Sequence, residues 1–156
     1  MFFLLIKRVS IGMSILALCL GTASIAEAAD PKLTIKDSTY TAKFVSQSIP
    51  DPVQMEAGEV KTVTFKFKNT GTATWIGSRF ISAYTMEPRY HDSVFKGSNW
   101  ITSSQSAKIE GTIKPGEVGE LKLELKAPET PGEYKEEFYL ASENHTWVKG
   151  GYFYID

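Results

Sequence analysis

Hydrophobic and polar residues alternate most regularly in the segment from Val60 to Lys68. Phe65 and Phe67 would lie on one face of an extended chain, while threonines and lysines would occupy the other face. Asn69-Thr70-Gly71 follows, and these residue types favour a tight turn. The pattern predicts a half-buried antiparallel strand, a turn, and the return of Trp75 to the same core.

The same alternation recurs along the chain. Leu121, Leu123 and Leu125 alternate with lysine and glutamate, shortly after the turn sequence Lys114-Pro115-Gly116-Glu117. Shorter or less regular candidate strands occupy residues 40–49, 79–85, 134–140 and 150–155. No convincing helical pattern interrupts them. Six to eight short strands separated by turns predict an all-β domain, a two-sheet antiparallel β-sandwich.

Six large side chains are predicted to fill the core of this sandwich. They are Phe65, Phe67, Trp75, Leu123, Phe138 and Trp147. Trp147 is included as an indole that lies beneath the final strand, because large aromatic side chains are mostly buried.

The first residues have the pattern of an export signal. Lys7 and Arg8 precede an apolar run, and Ala26-Glu27-Ala28 offers the small side chains that a signal peptidase requires. We expect a signal peptide over residues 1–28, a short linker over 29–39 and one folded domain over 40–156. An uncleaved membrane anchor and a lipoprotein formed at Cys19 are the alternatives. The expected mature form has no membrane span and is secreted or held at the cell envelope.

The composition of the chain excludes several kinds of site and partner. Cys19 is the only cysteine, so the mature form would have neither a disulfide nor a cysteine metal site. The net charge of the chain is −1, and its lysines are not grouped in the sequence. Nucleic-acid binding requires several clustered basic side chains, so no nucleic-acid partner is expected.

Several short motifs occur in a defined order along the domain. They are Gly58-Glu59, Phe67-Lys68-Asn69-Thr70-Gly71 with Trp75, Lys114-Pro115-Gly116-Glu117, Leu125-Lys126-Ala127-Pro128 and Pro131-Gly132-Glu133-Tyr134. Together they resemble the immunoglobulin-like four-tryptophan domain, the central domain of neighbour-of-BRCA autophagy receptors, over residues 44–156. Phe138 stands where many members have a further tryptophan. The resemblance implies an immunoglobulin-like sandwich that binds proteins without catalysis or cofactor, here in an exported, bacterial, stand-alone form.

The segment from Tyr84 to Ile113 is longer and more aromatic than a sandwich connection requires. One interpretation is that its large side chains fold inward and cap one end of the core. The other is that some of them form an outward surface for a protein or a glycan. The candidate partner-binding residues are Arg89, Tyr90, Phe95, Asn99 and Trp100.

Candidate catalytic groups are sparse. His91 and His145 are the only histidines, and neither has metal-ligand spacing or a nucleophile motif nearby. Glu133, Glu136 and Glu137 are interpreted as a solvated turn and strand. No catalytic residue, metal or cofactor is therefore assigned. Asn144-His145-Thr146 is formally a glycosylation sequon, which matters only in a eukaryotic secretory pathway.

These observations favour an exported, non-enzymatic module that binds a protein or an envelope polysaccharide. A structural domain of an envelope assembly, without a discrete ligand site, is the first alternative. A small hydrolase is the second alternative, since two carboxylates at a catalytic separation cannot be recognised from sequence.

Overall fold

The computed structural model describes residues 33–76 and 79–156, which form seven strands and no helix. The strands are β1 (Ala42–Gln47), β2 (Val60–Asn69), β3 (Ile81–Met86), β4 (Gln105–Lys108), β5 (Val118–Lys126), β6 (Glu136–Ser142) and β7 (Thr146–Ile155). The number agrees with the sequence expectation. Strand β4 was not expected, because it is short and lies inside the segment interpreted as a long connection.

Two antiparallel sheets pack face to face. One has the order β1-β2-β5 and the other has the order β4-β3-β6-β7. This arrangement confirms the predicted β-sandwich. In the strand pair β2 and β5, Phe65 lies opposite Leu121 and Val63 lies opposite Leu123, so the alternating apolar residues of both strands share the inner face.

The core lies between the two sheets. Phe65 of β2 and Phe138 of β6 both contact the ring of Phe153, with ring centroids 4.6 and 5.0 Å apart. Five of the six predicted core side chains are at most 1% exposed: Phe65, Phe67, Trp75, Leu123 and Phe138. These residues are in the core, as the alternation predicts.

The prediction that Trp147, the sixth of these side chains, lies in the core is wrong. In the pairing of β6 with β7, Trp147 lies opposite Ala141 and Tyr152 lies opposite Tyr139, so residues 148–151 of β7 face the single residue Leu140. An odd number of extra residues shifts the in-out alternation by one position. Val148 consequently faces the core, and Trp147 lies half-buried on the outer face of the sheet.

Part of the predicted linker is fastened to the domain. The backbone amides of Lys36 and Asp37 both donate hydrogen bonds to Thr146 Oγ1, at 3.0 and 3.1 Å. The predicted signal peptide, Cys19 and the first linker residues lie outside the described residues. Within the described residues, no helix is long and apolar enough to cross a membrane.

Candidate functional site

Three of the predicted partner-binding residues fasten their segment to the domain. Trp100 is 6% exposed, and its indole Nε1 donates a hydrogen bond to the backbone oxygen of Glu124 at 2.7 Å. Asn99 is exposed, but its side-chain nitrogen donates to the backbone oxygen of Lys122 at 2.8 Å. Phe95 is half-buried and packs against the core. Trp100 therefore faces inward, as the first of the two interpretations of this segment predicts, and its candidate role at a binding surface is corrected. Phe95 is held against the core and is still partly exposed.

Arg89 and Tyr90 lie on the outer face of the four-stranded sheet, where they meet Trp147. The rings of Tyr90 and Trp147 are stacked at 23° with centroids 6.1 Å apart, and Tyr84 meets both rings edge to face. The guanidinium carbon of Arg89 lies 5.6 Å from the centroid of a Trp147 ring. Sequence reasoning missed Tyr84 and Trp147 as members of this site.

The register of the sheet explains why these rings gather. Tyr84 of β3, Tyr139 of β6 and Tyr152 of β7 are directly opposite one another on neighbouring strands, on the outer face. Trp147 lies opposite Ala141, whose small side chain occupies little of the outer surface. The indole meets Tyr139 edge to face at 5.9 Å. Cross-strand aromatic pairs of this kind stabilise a sheet and position their rings firmly.

These side chains border an open groove of about 520 Å³, which we call the aromatic groove. It is lined by Thr34, Lys36, Tyr84, Arg89, Tyr90 and residues 141–147. We refer to Thr34 and Lys36 as one wall of the groove and to Arg89 and Tyr90 as the other. Its volume falls within the range of known ligand sites.

Hydrogen bonds hold the polar groups of the groove in defined positions. Glu143 Oε2 accepts hydrogen bonds from the Tyr84 hydroxyl and from Gln105 Nε2, each at 2.8 Å. Burial, together with the hydrogen bond to Glu143, raises the pKa of the Tyr84 phenol, so Tyr84 remains a donor at physiological pH. Among the described residues, no carboxylate lies within 4 Å of the Arg89 guanidinium.

Backbone strain is concentrated at this groove. In the described part of the chain, three residues other than glycine have a positive φ: Glu87 at 50°, Tyr90 at 67° and Asn144 at 52°. Tyr90 and Asn144 line the aromatic groove, and Glu87 belongs to the turn that carries Tyr90. Turns elsewhere use glycine for this conformation, as at Gly58 and Gly116.

The sequence model of the family described as "Ig-like domain from next to BRCA1 gene" matches residues 48–154. The chain belongs to this family. The match confirms the immunoglobulin-like character expected from the ordered motifs, and membership supports a protein-interaction module. A comparison with curated proteins finds no match. The matched range of the Ig-like domain includes Tyr84, Arg89, Tyr90 and Trp147, whereas the wall formed by Thr34 and Lys36 precedes it.

The histidines of this Ig-like domain pair with carboxylates that the sequence did not suggest. His91 Nε2 lies 2.9 Å from Glu136 Oε1, and Asp92, its neighbour in sequence, instead accepts a hydrogen bond from Ser103. Glu136 is 3% exposed, which corrects its interpretation as a solvated residue. His145 Nε2 lies 2.7 Å from Asp37 Oδ2. Within the described ranges, no three histidine, cysteine or acidic side chains are grouped to hold a metal.

A second groove of about 520 Å³ lies at one end of the sandwich. Met55, Phe95 and Tyr134 are among its lining residues, and Phe95 and Tyr134 meet edge to face at 5.9 Å. Met55 and Phe95 also pack against the core of the Ig-like domain, so this groove is a continuation of core packing. The aromatic groove has the exposed cation, the exposed ring and the backbone strain, and is therefore the stronger candidate site.

Proposed function

We propose that this Ig-like domain is an exported, non-enzymatic module that binds a protein partner in the aromatic groove, at the cell envelope or outside the cell. Export is supported by Lys7 and Arg8, the apolar run that follows, and the small residues at 26–28. A protein partner is supported by membership of a family of Ig-like domains.

The clustered backbone strain is the observation that carries the proposal. A left-handed backbone costs free energy in any residue with a Cβ atom, and such residues concentrate at ligand-binding positions. Tyr90 is 54% exposed, so burial of its ring does not compensate for this cost. The left-handed backbone at position 90 would then serve to present the Tyr90 ring to a partner that covers it.

The side chains at the groove suit a protein interface. Tyrosine, tryptophan and arginine are the residues most enriched at interface positions that dominate binding energy, because they bring a large, rigid contact area at little entropic cost. Trp147 and Tyr84 hold Tyr90 from below, which limits the rotamer entropy lost on binding.

The test installs a photo-crosslinking amino acid at position 90, with the same substitution at Val94 as a matched control. Val94 belongs to the same segment and is 59% exposed, but it does not line the groove. Crosslinking in intact cells should give a protein adduct from position 90 and none from position 94. An adduct that glycosidase returns to the size of the free protein would identify the partner as a polysaccharide and not a protein. Equal labelling from both positions would refute the groove as the site.

The partner identified in this way is then titrated with variants of the two exposed groove residues. Arg89→Ala and Tyr90→Gly should each weaken binding by about 1–2 kcal/mol at an unchanged or higher Tm, because glycine also relieves the strain at position 90. Val94→Ala should bind like the wild type. Fractionation of the cells tests export, with a mature amino terminus at Ala29 as the expected result.

A further inference from the structure

His145 lines the aromatic groove, and His91 directly follows Tyr90 in the chain. Each of these histidines contacts one carboxylate, His91 with Glu136 and His145 with Asp37, the residue after Lys36. We propose that these two histidine-carboxylate contacts are pH-dependent clasps, which hold both walls in place while the imidazoles are protonated and loosen as they become neutral. The inference concerns regulation and rests on the proposed binding function of the groove.

The first clasp fastens the wall that carries Arg89 and Tyr90. His91 Nδ1 lies 2.7 Å from the backbone oxygen of Pro88, which can only accept, so Nδ1 carries a proton. Nε2 then faces Glu136 Oε1 at 2.9 Å. Two lone pairs at this distance repel each other, so this contact is favourable only with a second proton between the nitrogen and the carboxylate.

The environment of Glu136 makes this second proton important. The Glu136 side chain is 4% exposed and projects from the start of β6. A buried carboxylate is costly unless a counter-charge or a proton neutralises it. Loss of the proton would leave Glu136 without compensation and favour release of the turn at residues 87–91. That turn is otherwise held by Tyr90 N–H donating to Thr85 O at 3.0 Å and by Thr85 Oγ1 donating to His91 O at 2.6 Å.

The second clasp fastens the wall formed by Thr34 and Lys36. His145 Nε2 lies 2.7 Å from Asp37 Oδ2, and both groups are about one quarter exposed. Hydrogen bonds from Thr39 and His145 lower the pKa of Asp37 to about 2, so its carboxylate is charged at every physiological pH. Protonation of His145 therefore adds an ion pair, and deprotonation reduces the contact to a hydrogen bond.

Neighbouring charged groups have interactions of their own. Around the first clasp, Asp92 accepts from Ser103, Lys135 pairs with Glu137 at 2.6 Å, and Arg89 lies over Trp147. Around the second clasp, Glu143 accepts from Tyr84 and Gln105, while the ring of Tyr40 meets His145 edge to face at 5.2 Å. Each histidine thus has one carboxylate partner within 4 Å among the described residues.

The direction of the effect follows from the charges. Below the range in which histidine titrates, both clasps are ion pairs and both walls are held in place. Histidine side chains in general lose their positive charge between about pH 5 and pH 8, and without that charge a partner must order the walls when it binds. Affinity for the partner should therefore be higher at the acidic end of this range.

Amide hydrogen exchange measures each wall separately. The Tyr90 amide donates to Thr85 and reports the first wall, and the Asp37 amide donates to Thr146 and reports the second. After correction for the intrinsic exchange rate, the protection of the Asp37 amide should fall about fivefold between pH 5 and pH 8, as expected for the loss of one partly exposed ion pair. The protection of the Tyr90 amide should fall by more, because the Glu136 side chain is buried. The amide of Phe65, in the centre of β2, is the internal control.

Glutamine substitutions remove the titration but keep a hydrogen-bond donor. His91→Gln should abolish the pH dependence at Tyr90 and leave that at Asp37, and His145→Gln should do the reverse. Equal protection at pH 5 and pH 8 in the wild type, or an unchanged pH dependence in either variant, would overturn the proposal. If either variant fails to fold, the same question is answered in the wild type by the Trp147 indole resonance, which must shift with the midpoint of either histidine titration.

Binding of the crosslinked partner at pH 5 and pH 8 distinguishes failure of this proposal from failure of the function on which it rests. Binding that requires Tyr90 but has the same affinity at pH 5 and pH 8 would refute the clasps and keep the groove. Binding that does not involve Tyr90 would refute the groove.

Discussion

Replacing Asn69 with alanine tests how the turn before Trp75 is held. Asn69 is fully buried, its side-chain nitrogen donates to Ala73 O at 2.8 Å and to Ile113 O at 3.0 Å, and its side-chain oxygen accepts from Gly71 N at 3.1 Å. Ile113 O keeps a second donor, the amide of Trp75. Ala73 O and Gly71 N would have no other partner among the described residues.

The magnitude follows from these two orphaned backbone groups. Each unmade hydrogen bond at a partly buried backbone group costs about 1–1.5 kcal/mol, which gives about 2–3 kcal/mol for the substitution. In a domain of this size, such a loss lowers Tm by about 10 °C. The turn cannot close up to compensate, because the Gly71 backbone is so close to Thr39 that a Cβ atom there would lie 2.0 Å from the Thr39 oxygen.

Urea unfolding followed by circular dichroism measures the effect as a shift in the midpoint at an unchanged slope. Asn99→Ala is the matched control, because Asn99 also makes side-chain hydrogen bonds to backbone groups but is exposed to water. It should cost less than about 1 kcal/mol. A loss for Asn69→Ala no larger than that of the control would refute the argument.

Four further predictions concern stability. Trp75→Ala should cost about 3–5 kcal/mol in urea unfolding, because the indole is 1% exposed within the core; an unchanged Tm would contradict this placement. The pKa of Asp37 is lowered from 3.8 to about 2, so its contribution to folding stability is complete above pH 3.8 and is lost as the pH falls toward 2. Asp37→Asn should therefore flatten the dependence of Tm on pH in that window, and an unchanged slope would contradict the lowered pKa. Gly150→Ala should cost about 2 kcal/mol, since Gly150 has a φ of 75° and its Cβ would lie 2.4 Å from Ala42 O; stability equal to the wild type would mean that the β7 irregularity is not fixed there. A reducing agent should leave Tm unchanged, because the chain has one cysteine; any loss would indicate a crosslink between chains.

The sequence by itself determined strands β2 and β5 and which residues of each face the core. Their alternation has a period of two, which is a local property of an extended chain, so the burial of Phe65, Phe67 and Leu123 could be predicted from sequence. The turn at Asn69 could also be predicted from sequence, because its residue types have intrinsic backbone preferences. Strand β4 could not be predicted, since four residues are too few to show a period.

Only the tertiary structure decided where the aromatic side chains of the candidate site lie. The irregularity in β7 shifts the alternation by one position and moves Trp147 from the predicted core to the outer face, and nothing in the sequence fixes how many residues such an irregularity contains. Tyr90 and Trp147 meet although many residues separate them, and His91 meets Glu136 across a similar separation. Trp100 turns inward because β5 offers its indole a backbone acceptor at Glu124. Each of these outcomes depends on the register between strands that are distant in sequence, which local patterns of hydrophobicity do not encode.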